Sequence, residues 1–248
     1  MIVKAPCAIK CALGENPKRT YNDREESPVT RMGTAALLRE NFIKAKEYVE
    51  KKKLAETDED ADKPDFDFKM EALADVVEKK LPIKAHAHRA DDIMTAIRIA
   101  KEFDLDMTIE HCTEGHLIVD HLKKGNFAPI VGPSLSERSK FELKNLTFKT
   151  PGILSNAGIK IALMTDHPVI PIQYLPLCAS LAVKAGMKRI DAMKAITINA
   201  AEIIGVGDRI GSIDEGKDAD LVLWDRDPFD AHSEVVWTMI DGKVVYER

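Results

Sequence analysis

No stretch of this sequence stays apolar for anything near the roughly 20 residues that a membrane-crossing helix needs, and the start carries no long apolar segment with a cleavage site. A membrane partner is therefore not expected, and the sequence-based expectation is a cytoplasmic protein. Paired cysteines are also missing. Cys7, Cys11, Cys112 and Cys178 are scattered with no CxxC among them, which argues against a disulfide framework and against a structural zinc knuckle. A basic excess is missing too: the net charge is -5, with lysines and arginines interspersed among acids, so no nucleic-acid face is expected. What remains is an ordinary mixture, 45% hydrophobic and 31% charged over 248 residues, enough for one large α/β domain with a small appendage.

The pattern of apolar residues orders that mixture. A strand is expected over Ala8 to Leu13, then a long surface loop over Glu15 to Arg31, then a helix over Met32 to Lys53. The acid-rich run Glu56 to Asp67 lacks the spacing of a calcium loop and reads as a solvated insertion, about 54–67. From Leu81 onward short apolar runs alternate with amphipathic ones. Strands are expected at Leu81 to Ala87, Asp106 to Ile109, Phe127 to Val131 and Ile159 to Met164. Helices are expected at Ala90 to Phe103, Glu114 to Lys124, Tyr174 to Ala185 and Arg189 to Ile204. Repeated β-α units with short connections call for a parallel sheet flanked by helices. After Gly205 the period becomes strand-like, with Asp241-Gly242 as a hairpin turn. The expected domains are 1–207 and 208–248.

The chemistry falls at strand ends. His86 and His88 stand two apart at the end of one strand and so share a face. His111 ends the next strand, in TIEHC. Asp166 ends a later one, in IALMTDHP, where Pro168 forbids continuation. The separations, 25 residues from His86 to His111 and 55 from His111 to Asp166, fit one and two units of strand plus helix. Neutral imidazole and carboxylate are the donors that hold Zn²⁺ or a related divalent ion while leaving a position for water. His116, His121 and His232 are expected on the surface.

These segments resemble a known family. IKAHAHRADDI (83–93), IEHC (109–112), IALMTDHP (161–168), TINAA (197–201) and RIGSIDEGKDADLVLWDRDPF (209–229) are similar to strands five, six and eight and the following segments of metal-dependent amidohydrolases, in the imidazolonepropionase and prolidase-like branch. The resemblance implies part of a TIM-type (β/α)8 barrel, strands 4–8, with a small C-terminal β appendage. It implies hydrolysis of a C–N bond in an amide, cyclic amide or amidine by metal-bound hydroxide, with one or two divalent ions, zinc by donor type. Residue by residue, it implies His86 as a metal ligand. It makes His111 either a second-metal ligand or the group that polarises the substrate carbonyl, and Asp166 both ligand and proton shuttle. His88 is a substrate contact, or the ligand if the register differs by two. Lys10, in IKCALGEN, is a candidate carboxylated bridging lysine and Glu15 a further candidate bridge. Arg138 is a candidate for holding a substrate carboxylate.

One feature departs from the family. Members begin with a first-strand His-x-His, and this sequence has no histidine before His86. Five strands cannot close a barrel. The expectation is thus an N-terminally incomplete hydrolase chain whose missing part begins upstream of Met1, with its activity alone left open; the alternatives are a partner or homo-oligomer that supplies the first strands, or a non-catalytic half-barrel or binding module.

Overall fold

The computed structural model describes residues 2–248. In chain order its elements are β1 (Ile9–Ala12), α1 (Glu15–Asn22), α2 (Arg31–Thr57), α3 (Phe68–Val77), β2 (Ile83–Ala87), α4 (Ala90–Phe103), β3 (Met107–His111), α5 (Val119–Gly125), β4 (Ala128–Val131), α6 (Lys149–Asn156), β5 (Ala162–Leu163), α7 (Leu175–Lys184), α8 (Arg189–Ala195), α9 (Ile198–Ile203), β6 (Leu221–Trp224), β7 (Val235–Ile240) and β8 (Lys243–Glu247). The first five strands form one parallel sheet in the order β1-β2-β3-β4-β5. The last three form an antiparallel sheet, with β7 and β8 joined through Asp241 and Gly242, both at positive φ as a tight hairpin turn requires.

Register decides which side chains the sheet hides. Ile83, Ala85 and Ala87 of β2, Met107 and Ile109 of β3, Val131 of β4 and Leu163 of β5 all face the helices and belong to one buried apolar cluster. Helix α4 meets them with Ile93, Ala96, Ile97, Ala100 and Phe103, a stripe at helical spacing. Each such large apolar side chain contributes on the order of 1.5–3 kcal/mol on burial. The opposite face carries the row Ala12, His86, Glu110, Ile130 and Ala162, residues paired across successive strands. Chemistry is thereby separated from packing by the alternation of the strands themselves.

Four expected elements differ from those observed. The stretch expected as a loop over Glu15 to Arg31 begins with α1, because Pro17 lies in the first turn, where its missing N–H would have no partner anyway. The helix expected over Arg189 to Ile204 is two, α8 and α9. Thr197 sits between them with φ -131° and ψ -106° while its hydroxyl donates to the Met193 carbonyl (2.7 Å). The helix expected over Glu114 to Lys124 divides into a 3-10 turn at Gly115–Leu117 and α5. The strand expected over Ile159 to Met164 keeps ladder pairing only at Ala162–Leu163, for β5 has a single neighbour, β4. Among the described residues, no helix is long and apolar enough to cross a membrane.

Candidate metal centre

Three imidazoles meet at the carboxyl ends of β2 and β3. His86, His88 and His111 are all buried, and one ligating atom from each lies within 4.8 Å of the others. Their ring centroids are 4.8 Å (His86 to His88), 4.3 Å (His86 to His111) and 4.3 Å (His88 to His111) apart. The alternation of β2 accounts for the first two. It does not account for the third: His111 pairs with Ala87, whose side chain lies in the core, so regular strand geometry would carry His111 there too. Instead the backbone turns left-handed, with φ 71° at His111 and 46° at Cys112. Such a conformation costs a non-glycine residue of order 1–2 kcal/mol, and sites that must aim a side chain are where it accumulates.

Each ring is fixed from outside. His111 Nδ1 donates to the Gly132 carbonyl (2.8 Å), which leaves its Nε2 with a free lone pair. Gly132 can come this close only because it has no side chain, since a Cβ there would lie 2.2 Å from the Met164 carbonyl oxygen. Asn16 Nδ2 donates to His86 Nε2 (3.3 Å), and Lys140 Nζ donates to Asn16 Oδ1 (2.6 Å), an arrangement that makes His86 Nε2 the lone-pair nitrogen. His88 Nδ1 pairs with the Thr113 hydroxyl (2.8 Å).

Burial keeps all three uncharged. It pushes the imidazole of His86 down to about 3 and that of His88 to about 2, with the neighbouring His111 adding to both. His111 is lowered as well, mainly by burial, against the opposing pull of the Gly132 carbonyl and of Asp166. Neutral, buried and anchored imidazoles are the donor type a divalent ion of the zinc group takes, and the residues therefore fit such an ion.

The histidines open into a cleft of about 490 Å³ that Asp166, Asn16 and Lys140 also line. Leu135, Leu143, Val169 and Ile170 also line it, interspersed with Ser136, Glu137 and Ser139. Asp166 is exposed, at φ 52°, and lies outside the three-histidine cluster while sharing its cleft. Lys10 is exposed on β1, two residues before Ala12, the strand partner of His86, and its charge acts on His86 and His111. Arg138 lines a neighbouring cleft with Leu146 and Phe148, and its Nη2 donates to the Leu146 carbonyl (2.8 Å). Glu15 is occupied with the Glu142 backbone, its Oε1 accepting from that N–H (3.0 Å). His116 is half-buried against Thr150, whereas His121 and His232 are exposed.

Sequence reasoning missed Asn16, Thr113, Lys140 and Glu142. Thr113 follows directly on IEHC, so the strand tip already named was its signal. Glu142 lies in a 3-10 turn, Phe141–Leu143, that Lys140 precedes, and nothing in the sequence marks either residue.

Comparison with known proteins agrees with this geometry. The chain is similar to an amidohydrolase from Thermotoga maritima MSB8, with a TM-score of 0.96 and 48% identity over 100% of this chain and 64% of that one. It is 26% identical over 253 residues to Amidohydrolase tasK of Hapsidospora irregularis, covering 96% of this chain and 26% of that protein. It is also 48% identical over 73 residues to an imidazolonepropionase of Geobacillus sp. (strain WCH70), 28% of this chain and 17% of that one. It thus spans about a quarter or less of the length of these two curated relatives and under two thirds of the Thermotoga chain. A model described as the amidohydrolase family matches residues 7–245, and the chain belongs to that family.

Proposed function

We propose that the chain is a metal-dependent hydrolase of C–N bonds in amides, cyclic amides or amidines other than ordinary peptide bonds, acting on a small molecule in the cleft above the histidines. The observation that carries this reading is the convergence of His86, His88 and His111, buried and uncharged, at one rim of a parallel sheet. That rim is where barrel enzymes of this architecture keep their chemistry, and it supports taking β1 to β5 as part of a (β/α)8 barrel.

His86 and His111, with His88 beside them, would hold the ion, and zinc suits the donors best. When bound, such an ion supplies acidification of a coordinated water and polarisation of a carbonyl oxygen. Asp166 lines the same cleft and is accessible, so it can accept a proton and return it to the leaving nitrogen. His111, turned into the cleft by its left-handed backbone and held at Nδ1 by the Gly132 carbonyl, would present its lone-pair Nε2 to the ion. The apolar side chains Leu135, Leu143, Val169 and Ile170, set among Ser136, Glu137 and Ser139, suit a small substrate with both uncharged and polar parts.

One observation favours a second reading, a metal-binding module without turnover: Asp166 is exposed and lies outside the buried three-histidine cluster. The two readings separate in an assay of amine or ammonia release from N-acyl amino acids, formamides and cyclic amides by zinc-loaded protein. A hydrolase releases product and loses roughly 10²–10⁴-fold in rate on Asp166→Asn, the usual worth of a general acid-base group. Zinc binding without release from any substrate sinks the hydrolase reading and leaves the module.

A further inference from the structure

Glu142 is fully buried at the edge of the histidine cluster. Its Oε2 accepts from the Glu15 N–H (2.8 Å), while its own N–H donates to Glu15 Oε1 (3.0 Å). This reciprocal clasp ties the start of α1 to a 3-10 turn, Phe141–Leu143, in the segment after β4. It is made at close quarters: a Cβ on Gly14, at φ 90°, would lie 2.5 Å from Glu142 Oε2.

The clasp uses only half of the carboxylate. Oε1 is buried and has no hydrogen-bond partner. It lies 3.8 Å from His88 Nε2 and 3.8 Å from Lys140 Nζ, too far for a hydrogen bond to either and close enough to act on both. A buried carboxylate oxygen left this way costs about 1–3 kcal/mol or more, a cost that folding alone does not explain. Three uncharged imidazoles, for their part, would carry a dication in a buried site with no negative charge among the ligands. Carboxylates that hold metal-bound histidines from outside are a general remedy, and losing one typically costs 10–100-fold in metal affinity.

We infer that Glu142 is a positioning residue of the metal centre, its free oxygen facing His88 Nε2 and supplying the buried negative charge against which His86 and His111 bind a divalent cation. Lys140, at equal distance from that oxygen, competes with the cation for it. The inference rests on the metal-centre reading above and adds a residue that does not touch the cleft.

The test is competitive titration of Zn²⁺ against a chromophoric chelator, with thermal unfolding of the metal-free proteins alongside. Glu142→Gln keeps an oxygen for the Glu15 N–H but turns an amide NH₂ toward His88. It is expected to weaken zinc binding 10–100-fold while leaving the metal-free protein as stable as wild type or more so. Lys140→Met, a change at a half-buried residue, is expected to tighten binding several-fold. Glu142→Gln with zinc affinity within twofold of wild type overturns the inference, as does an affinity loss matched by loss of metal-free stability. If Glu142→Gln does not fold, Lys140→Met measured against Asn16→Ala, which removes the same support of His86 without changing the charge, decides: binding tighter than in Asn16→Ala supports the role, and equal or weaker binding overturns it. A wild-type chain that takes up no zinc overturns the metal centre as well, whereas wild-type binding with indifferent variants overturns this assignment alone.

Discussion

Replacing Gly132 by alanine tests the support of His111 without touching a histidine. Gly132 has φ 138°, and a Cβ there would lie 2.2 Å from the Met164 carbonyl oxygen and 3.2 Å from its carbon. The chain must yield by nearly an ångström, the kind of overpacking that costs roughly 1–3 kcal/mol, on top of about 1–2 kcal/mol for a side chain at positive φ. Gly158→Ala is the control: Gly158 also has positive φ, 82°, but nothing within 4 Å of the added methyl. The control should lose only the conformational part, roughly 1–2 kcal/mol, and Gly132→Ala a further 1–3. At about 2–4 °C per kcal/mol for a chain of this size, Gly132→Ala should melt several degrees below Gly158→Ala by differential scanning fluorimetry. Because the Gly132 carbonyl holds His111 Nδ1, zinc affinity should also fall in Gly132→Ala and hold in Gly158→Ala. Equal melting temperatures and equal affinities in the two variants would refute the close approach and the role given to it.

Other consequences follow from burial and charge. The imidazoles of His86 and His88 are pushed down to about 3 and about 2, below the 6.5 of an unfolded histidine, so their contribution is complete above pH 6.5 and lost as pH falls toward 3. Urea denaturation of metal-free protein should show a loss on the order of 2 kcal/mol per histidine between pH 7 and pH 5, and a flat profile would contradict the neutral cluster. Arg31 Nε donates to both carboxylate oxygens of Asp92 (3.1 and 3.0 Å), and Asp92 is only 2% exposed. Arg31→Ala should therefore cost about 3 kcal/mol in chemical denaturation by stranding a buried charge, with part of it restored in Arg31→Ala combined with Asp92→Asn.

The sequence made the sheet legible because a strand buried on its helix side leaves an apolar signature that survives without any partner. That His86 and His88 share a face followed from period alone, and the register, with His86 opposite Ala12 and Glu110 and with Ile83, Ala85 and Ala87 in the core, agrees. His111 was found for its place at a strand tip, but alternation by itself would have aimed it into the core, and only its left-handed φ reverses that. The break at Thr197 and the helix over Glu15–Asn22 were hidden by local composition, since a β-branched residue and an early proline are each tolerated by either structure. Glu142 and Lys140 were beyond reach for another reason. Their roles arise from contacts with Glu15 and Asn16, 127 and 124 positions away in the chain, and no local pattern encodes such pairs.

The central claim is that three imidazoles, brought together by two neighbouring strand tips, form one divalent-ion centre. Equilibrium dialysis of the purified chain against buffered Zn²⁺, with His86→Ala and His111→Ala beside the wild type, measures it directly. Binding of at least one ion per chain, abolished in both variants while His232→Ala binds as wild type, is the predicted result. Uptake that is absent in the wild type, or unchanged when either buried histidine is removed, would contradict the claim.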